Sequence, residues 1–165
     1  IVKDEGQAER YRAALGGAAR VEADGSPASA PIYGAAAGFE LARGEVSLLL
    51  PCDAPFVSKA AAALLAELCE GRDAAVPRHP NGYVEPLHAA YNTEAAREAA
   101  RRAIASGSLD LRSMISLLGN VLYVSTLVIR ELDPELLTFF NVNSPADLRR
   151  AEAIIGGKRG RRGGA

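Results

Sequence analysis

The sequence feature that most constrains the fold is an apolar run, residues 46–50, that ends abruptly at the segment Pro-Cys-Asp-Ala-Pro over residues 51–55. A continuous apolar run beside turn residues is typical of a strand buried on both faces, as in a parallel sheet. Ser58 then begins a long alanine- and leucine-rich segment, which predicts a helix with a serine N-cap. This order places Asp53 just beyond the carboxyl end of a strand, where ligands bind in open α/β sheets.

Asp53 itself has two interpretations. The prolines on both sides stiffen the loop and hold the carboxylate outward. A fixed carboxylate at this place suits a hard cation such as Mg²⁺, which commonly arrives with phosphates. The alternative is that Asp53 only forms the turn after the strand, and this stretch alone favours neither interpretation.

Composition narrows the class of protein. A chain of 165 residues with 48% apolar and 24% charged residues predicts one soluble domain with enough chain for a core. A net charge of −1 argues against a nucleic-acid partner. With no membrane-length apolar stretch and no signal peptide, we expect no membrane contact and a cytoplasmic location. We expect the domain over residues 1–157 and a basic, disordered tail over 158–165, with a phosphate or RNA contact of that tail as the minority alternative.

Apolar periodicity, divided by Gly, Pro and Ser, predicts strands alternating with helices. Helices are predicted over 7–15, 32–43, 59–70, 93–105, 109–118 and 145–157, with strands over 18–22, 46–50, 74–78, 84–91, 121–125 and 137–142. Thr93 is the predicted N-cap of the fourth helix, and residues 127–132 are ambiguous. The alternation predicts an α/β fold whose mostly parallel sheet is flanked by helices.

A second candidate loop carries Asn141 and Asn143 directly before a strong helix start, with Ser144 as the N-cap and Asp147 completing a capping box. A helix N-terminus offers free N–H groups and a positive dipole end, which favour phosphate. In a regular strand the two asparagines would point to opposite faces, although a turn beginning at Asn143 would bring them together. Turn and cap chemistry alone is the alternative explanation.

The remaining reactive side chains give less specific signals. His88 is predicted to be a hydrogen-bonded strand residue rather than a catalytic base, and two histidines with no nearby cysteine pair predict no metal cluster. Glu85 is a minor candidate for ligand contact, beside the bend that Pro86 fixes. The two cysteines form neither a disulfide framework nor a zinc pattern, and Cys52 is predicted to be a small packing residue rather than a nucleophile.

Three segments occur in an order that resembles one enzyme family. They are Leu-Leu-Pro-Cys-Asp-Ala-Pro-Phe at 49–56, Val-Glu-Pro-Leu-His-Ala-Ala-Tyr at 84–91 and Phe-Phe-Asn-Val-Asn-Ser-Pro-Ala-Asp-Leu at 139–148. The segment Ala-Pro-Ile-Tyr-Gly at 30–34 is similar to that family's Gly-Pro-Leu-x-Gly loop, with Ala30 in place of the first Gly. Together they resemble the molybdenum cofactor guanylyltransferases of the MobA-like nucleotidyltransferase family.

The resemblance implies a Rossmann-like nucleotidyltransferase fold and transfer of GMP from Mg-GTP to molybdopterin, with release of pyrophosphate. Asp53 matches the family's Mg²⁺-binding aspartate, and Asn141 and Asn143 match an Asn pair near the pterin phosphate and the metal. Asp24 and Gly34 match positions that contact the nucleotide. The implied partners are therefore GTP and molybdopterin, with Mg²⁺ as cofactor and a downstream molybdoenzyme or cofactor-biosynthesis protein as a further partner.

One family motif does not occur in the sequence. Members begin with a strand and a Leu-Ala-Gly-Gly-x-Ser-x-Arg-Met loop that cradles the triphosphate, whereas this sequence starts at Ile1 without a Met. We expect that loop to precede Ile1, and the chain without it to bind GTP poorly. The motifs also permit a cytidylyl- or sugar-nucleotide transferase, and a non-catalytic domain that binds molybdopterin or a protein partner is the alternative from a different class.

Overall fold

A four-stranded sheet lies between two layers of helices in the computed structural model, which describes residues 1–26 and 28–162 and only the backbone of 158–162. The strands are β1 Val46–Leu49, β2 Ala74–Arg78, β3 Ala89–Asn92 and β4 Val121–Ser125. The helices are α1 Glu5–Leu15, α2 Pro31–Leu41, α3 Lys59–Cys69, α4 Thr93–Ala105, α5 Leu111–Ser116, α6 Thr126–Arg130 and α7 Pro145–Arg162. Two short 3-10 turns are Pro86–His88 and Leu137–Phe139.

The sheet has the order β1-β3-β2-β4. Strand β3 pairs antiparallel with both β1 and β2, and β2 pairs parallel with β4. Strands β1, β2 and β4 therefore run in one direction and only β3 is reversed, so the predicted α/β fold is confirmed. Two of the three strand pairings are nevertheless antiparallel, and β1, predicted as a buried parallel strand, is a half-exposed edge strand because its one neighbour in the described sheet is β3. The carboxyl ends of β1, β2 and β4 lie at the same edge of the sheet, and the segment that leads into β3 begins there.

Two apolar clusters form the core, one on each face of the sheet. Ala74 and Val76 belong to the cluster under α2, α4 and α5, whereas Ala75, between them, belongs to the cluster under α3. This alternation is the period of two that a strand imposes on its side chains. Alanines on α2 and α4 allow the two helices to lie close together, and Phe39 contacts Tyr91 edge to face at 5.5 Å between ring centroids.

Three of the predicted strands are wrong in whole or in part. Residues 18–22 form no strand, and a single parallel bridge joins Val2 to Ala23 instead. Residues 84–91 form a bridge at Val84, a 3-10 turn and only then β3, because Pro86 has no N–H to donate to a ladder. Residues 137–142 form a 3-10 turn followed by extended backbone without strand pairing.

Two helix ends also differ from expectation. The N-cap of α4 is Asn92, whose side chain accepts from the Ala95 N–H at 3.0 Å, while the buried Thr93 hydroxyl donates to the Gly44 carbonyl at 2.7 Å. Helix α7 continues through the glycine pair at 156–157, so those glycines do not end it. Of the tail predicted over 158–165, the first five residues are the backbone of α7 and the last three lie outside the described residues.

None of the helices in the described part of the chain combines the length and the apolar character that crossing a lipid bilayer requires.

Candidate active site

The loop after β1, residues 50–58 and here named the Asp53 loop, places Asp53 at the carboxyl edge of the sheet as the sequence predicts. The backbone carbonyl of Asp53 accepts a hydrogen bond from the Val142 N–H at 2.8 Å. Among the described residues, the Asp53 carboxylate has no hydrogen-bond or ion-pair partner, and the side chain is half-buried. Its oxygens are therefore available to an incoming ligand.

Val142 lies at the centre of residues 141–143, here named the Asn turn. The hydrogen bond from Val142 to Asp53 brings together the two loops that the sequence singled out separately. Both Asn141 and Asn143 are exposed, and among the described residues neither side-chain amide has a hydrogen-bond partner. The Asn turn thus presents side-chain donors and acceptors on a segment that is bonded to the backbone of Asp53.

Two further contacts hold these loops together. The Ser58 N–H donates to the Thr138 hydroxyl at 3.0 Å, and Thr138 is buried. The rings of Phe56 and Phe140 are 5.7 Å apart between centroids. Because Ser58 also caps α3 by accepting from the Ala61 N–H, the far end of the Asp53 loop is fixed to a helix.

The N-terminus of α7 is capped independently of the asparagine side chains. The Ser144 hydroxyl accepts from the Asp147 N–H at 3.2 Å and donates to the Asp147 carboxylate at 2.7 Å. The same carboxylate accepts from the Asn143 backbone N–H at 3.3 Å. The hydrogen bond from Ser144, with smaller help from the backbone of Asn143, holds the pKa of Asp147 below its ordinary value. The predicted cap is confirmed, and it uses only the backbone of the Asn turn.

Asp24 and Gly34, the predicted nucleotide-contact residues, also lie together. One oxygen of Asp24 accepts from the backbone N–H of Ser26 at 2.8 Å and from its hydroxyl at 2.7 Å. Lys3 donates to the Ser26 carbonyl at 2.7 Å, which ties this loop to the start of the chain. A Cβ built on Gly34 would lie 4.0 Å from the other Asp24 oxygen.

The two pairs of predicted residues do not contact each other. In the described ranges, no hydrogen bond or ion pair joins Asp24 or Gly34 to Asp53 or to the Asn turn. Pro31, at the start of α2, does line a cleft of about 420 Å³ with Tyr83 and Pro86. The start of α2 therefore borders the segment that leads into β3.

A third group of polar residues was not expected from the sequence. Nε2 of His79 lies 2.8 Å from a Glu85 oxygen, and Nδ1 of His88 lies 3.8 Å from the other. Burial alone would raise the pKa of Glu85, but the two imidazoles outweigh it and hold that pKa below its ordinary value. Only the proximity of three titratable residues in ten positions could have signalled this group.

His88 is not the hydrogen-bonded strand residue that was predicted. It lies in a 3-10 turn, is 2% exposed, and neither ring nitrogen has a hydrogen-bond partner among the described residues. Burying a polar group without a hydrogen bond costs about 1–3 kcal/mol of folding stability.

Cys52 also differs from expectation, because it is exposed rather than packed, while Cys69 is buried.

Comparison with known proteins identifies the family. Residues 1–121 match the family model described as a MobA-like NTP transferase domain.

The chain belongs to the MobA-like NTP transferase family.

Its relatives carry the name that the motifs suggested. A protein from Methanosarcina mazei named as a probable molybdenum cofactor guanylyltransferase is 37% identical over 126 residues, which is 76% of this chain and 54% of the relative. One from Methanothermobacter thermautotrophicus with the same name is 33% identical over 153 residues, covering 90% of this chain and 75% of the relative. The resemblance inferred from the sequence is confirmed.

One solved structure agrees with this family membership, and a second shares the fold. The crystal structure of molybdopterin-guanine dinucleotide biosynthesis protein A from Archaeoglobus fulgidus matches with a TM-score of 0.79 and 32% identity, over 94% of this chain and 76% of that one. A cytidylyltransferase from Thermus thermophilus, which acts on 2-C-methyl-D-erythritol 4-phosphate, shares the fold with a TM-score of 0.56 and 24% identity, over 75% of this chain and 68% of that one. The chain spans about half the length of the two Methanosarcina relatives, 54% and 55%.

Proposed function

We propose that this MobA-like chain belongs to an enzyme that transfers GMP from GTP to molybdopterin and releases pyrophosphate. One observation carries the proposal: the hydrogen bond from the Val142 N–H to the backbone of Asp53 joins the Asn turn, at the N-terminus of α7, to a residue whose carboxylate has no partner among the described residues. The names of its family relatives support the choice of reaction. In this reaction a phosphate oxygen of the acceptor attacks the α-phosphorus of GTP.

Asp53 is the residue we assign to Mg²⁺. Across the described residues, no group of three or more His, Cys, Asp or Glu side chains could hold a metal ion. Mg²⁺ is commonly held by one or two carboxylates together with substrate phosphates and water, so a single available carboxylate at the sheet edge fits it. When bound there, Mg²⁺ would neutralise charge on the phosphate oxygens.

The Asn turn is assigned to the acceptor phosphate. Its two exposed side-chain amides can each donate hydrogen bonds to phosphate oxygens, and the N-terminus of α7 provides the positive end of a helix dipole nearby. Phosphoryl transfer needs mainly positioning and charge stabilisation, so groups held in place before substrate arrives are the expected machinery. The backbone of this turn is held by two hydrogen bonds that it donates, from the Val142 N–H to the Asp53 carbonyl and from the Asn143 N–H to the Asp147 carboxylate.

The loop that carries Asp24 is assigned to the nucleotide together with Gly34. The Asp24 oxygen nearer to Gly34 accepts no hydrogen bond from the described residues, whereas the other oxygen is occupied by Ser26. A small residue at Gly34 leaves the helix start open to a base or ribose. We further propose that the product passes to a downstream molybdoenzyme or cofactor-biosynthesis protein.

Replacing Asp53 tests the metal assignment. In the natural full-length protein, Asp53→Ala should lower Mg²⁺-dependent pyrophosphate release by about a hundredfold or more, because charge stabilisation at the reacting phosphates is lost. The Tm should stay nearly unchanged, since the carboxylate has no partner among the described residues. The matched control is Cys52→Ala at the exposed neighbouring position, which should retain full turnover. Normal turnover by Asp53→Ala would contradict the assignment of Asp53 to Mg²⁺.

Turnover of each nucleoside triphosphate with molybdopterin tests the reaction itself. GTP should be used in preference to CTP, ATP and UTP, with Mg²⁺ required. Preference for CTP would identify a cytidylyltransferase of the same fold. Binding of molybdopterin without turnover of any nucleotide would identify a non-catalytic binding domain and contradict the proposed function.

A further inference from the structure

The three residues His79, Glu85 and His88, here named the histidine cluster, lie where β2 ends and β3 begins. One carboxylate is shared by two imidazoles, at 2.8 Å from His79 and 3.8 Å from His88. The Glu85 side chain is only 17% exposed, so solvent screens these interactions little. None of the three residues contributes to the site assigned to metal, acceptor or nucleotide.

Of the three residues, His88 is the one whose presence a role in stability explains least. Its ring is almost fully buried, with both nitrogens unpartnered among the described residues. An apolar side chain of similar size would fill the same space without a desolvated polar group. His88 instead lies near the Glu85 carboxylate and packs its ring against a neighbouring aromatic side chain.

That neighbour is Phe139, which contacts both imidazoles. The centroid of its ring lies 5.5 Å from that of His79 and 5.2 Å from that of His88, and both contacts are edge to face. Such contacts depend on ring orientation. Because Glu85 interacts with both imidazoles, it fixes the orientation of the two surfaces against which Phe139 packs.

Phe139 stands two residues before the Asn turn. Between the Asp53 loop and this segment lie the bond from Ser58 to Thr138 and the bond from Val142 to Asp53. The position of Phe139 therefore helps to determine where the Asn turn meets Asp53. A physical connection runs from Glu85 through the imidazoles and the Phe139 ring to that turn.

We propose that the histidine cluster is a positioning device for the Asn turn, with Glu85 and His88 acting through Phe139. The proposal deepens the proposed function, because the step affected is the one that the Asn turn and Asp53 serve together. Neither residue touches the reacting phosphates in this assignment. A misplaced reacting group costs rate rather than affinity, so the effect belongs to kcat.

The test uses His88→Leu and Glu85→Gln in the natural full-length protein. His88→Leu removes the unpartnered nitrogens and should keep or raise Tm, while Glu85→Gln keeps the shape and removes the charge. Both should lower kcat by about tenfold to a hundredfold, with KM for the nucleoside triphosphate unchanged. Phe139→Leu should give the same pattern, because it removes the ring that transmits the effect.

A second readout does not depend on turnover. Hydrogen exchange of the Val142 amide reports the bond to Asp53 directly, and it should become faster in all three variants. The matched control is Glu40→Gln, which removes an exposed carboxylate on α2 that pairs with Arg101 on α4. It should change neither kcat nor Val142 exchange.

The outcomes separate this inference from the proposed function. Wild-type kcat and wild-type Val142 exchange in His88→Leu and Glu85→Gln would overturn the inference while leaving the enzyme assignment intact. A wild-type protein without transferase activity would contradict the proposed function, and Val142 exchange would still decide whether the cluster positions the turn. Faster Val142 exchange that only matches faster exchange of amides throughout the core, as global unfolding produces, would also overturn the inference.

Discussion

Gly34 is a position where the backbone does not require glycine. Its φ is not in the left-handed region, and an added Cβ would meet Ile1 at 3.8 Å and Asp24 at 4.0 Å, which are ordinary contacts. Alanine is the better helix former by roughly 0.5–1 kcal/mol. Gly34→Ala should therefore raise Tm and, if the nucleotide approaches this helix start, weaken GTP binding more than molybdopterin binding. Gly34→Val should weaken GTP binding in the same direction.

The matched control lies one turn further along α2. Gly38 has similar space, with Ile1 at 3.7 Å from an added Cβ, but it is remote from Asp24. Gly38→Ala should give a comparable gain in Tm without any change in GTP affinity, measured by calorimetry on both variants. Equal GTP affinity in Gly34→Ala and Gly38→Ala would remove Gly34 from the nucleotide site.

At the scale of the element, different residues at the start of α7 serve stability and the proposed function. Ser144→Ala removes the cap and should cost about 1 kcal/mol of stability while keeping most of the activity. Asn143→Ala leaves that cap in place, because only the Asn143 backbone contacts Asp147. It should therefore keep its Tm and lose about a hundredfold in kcat, as expected when a reacting phosphate is no longer held in place. Thermal melts and turnover of the two variants check this. A lower Tm with normal kcat in Asn143→Ala would show that Asn143 only forms the turn.

Elements could be predicted from the sequence where local chemistry alone determines them. The strand β1 and the Ser58 and Ser144 caps depend on residues close in the chain, and each formed at its predicted place. The burial and parallel pairing predicted for β1 were wrong, because they depend on its neighbours in the sheet. Residues 86–88 and 137–139 lie in apolar, β-prone segments but have no ladder partners, so they form 3-10 turns instead. Strand pairing is a tertiary property that periodicity does not reveal.

At the scale of the whole molecule, the sequence predicted which loops carry the candidate site but not everything that holds them. Asp53 and the Asn turn do meet, through the hydrogen bond from Val142 to Asp53, although the Asn turn follows a 3-10 turn and not the strand predicted over 137–142. The contact between the histidine cluster and Phe139 could not be predicted, because Phe139 lies about fifty residues after the cluster in the chain. Long-range ring contacts of this kind have no local pattern.

The same cluster links the stability of the whole fold to pH. Interaction with His88 and His79 outweighs burial and holds the pKa of Glu85 below its ordinary value of 4.5. The unfolded chain therefore takes up a proton at this residue at a higher pH than the folded chain does, so protonation favours unfolding. The contribution of ionised Glu85 is complete above 4.5 and is lost as the pH falls through the lower pKa of the folded state.

Glu85→Gln should remove that part of the acid sensitivity. Its Tm should lie below that of the wild type at neutral pH, and the difference should shrink as the pH is lowered beneath the ordinary glutamate value of 4.5. His88→Leu should show an intermediate dependence, because His79 still lowers the Glu85 pKa through a contact at 2.8 Å. Thermal melts of the three proteins across this range measure the effect. A Tm difference between wild type and Glu85→Gln that stays constant with pH would show that the Glu85 charge does not contribute to folding, because an uncharged glutamine cannot reproduce a proton-linked change.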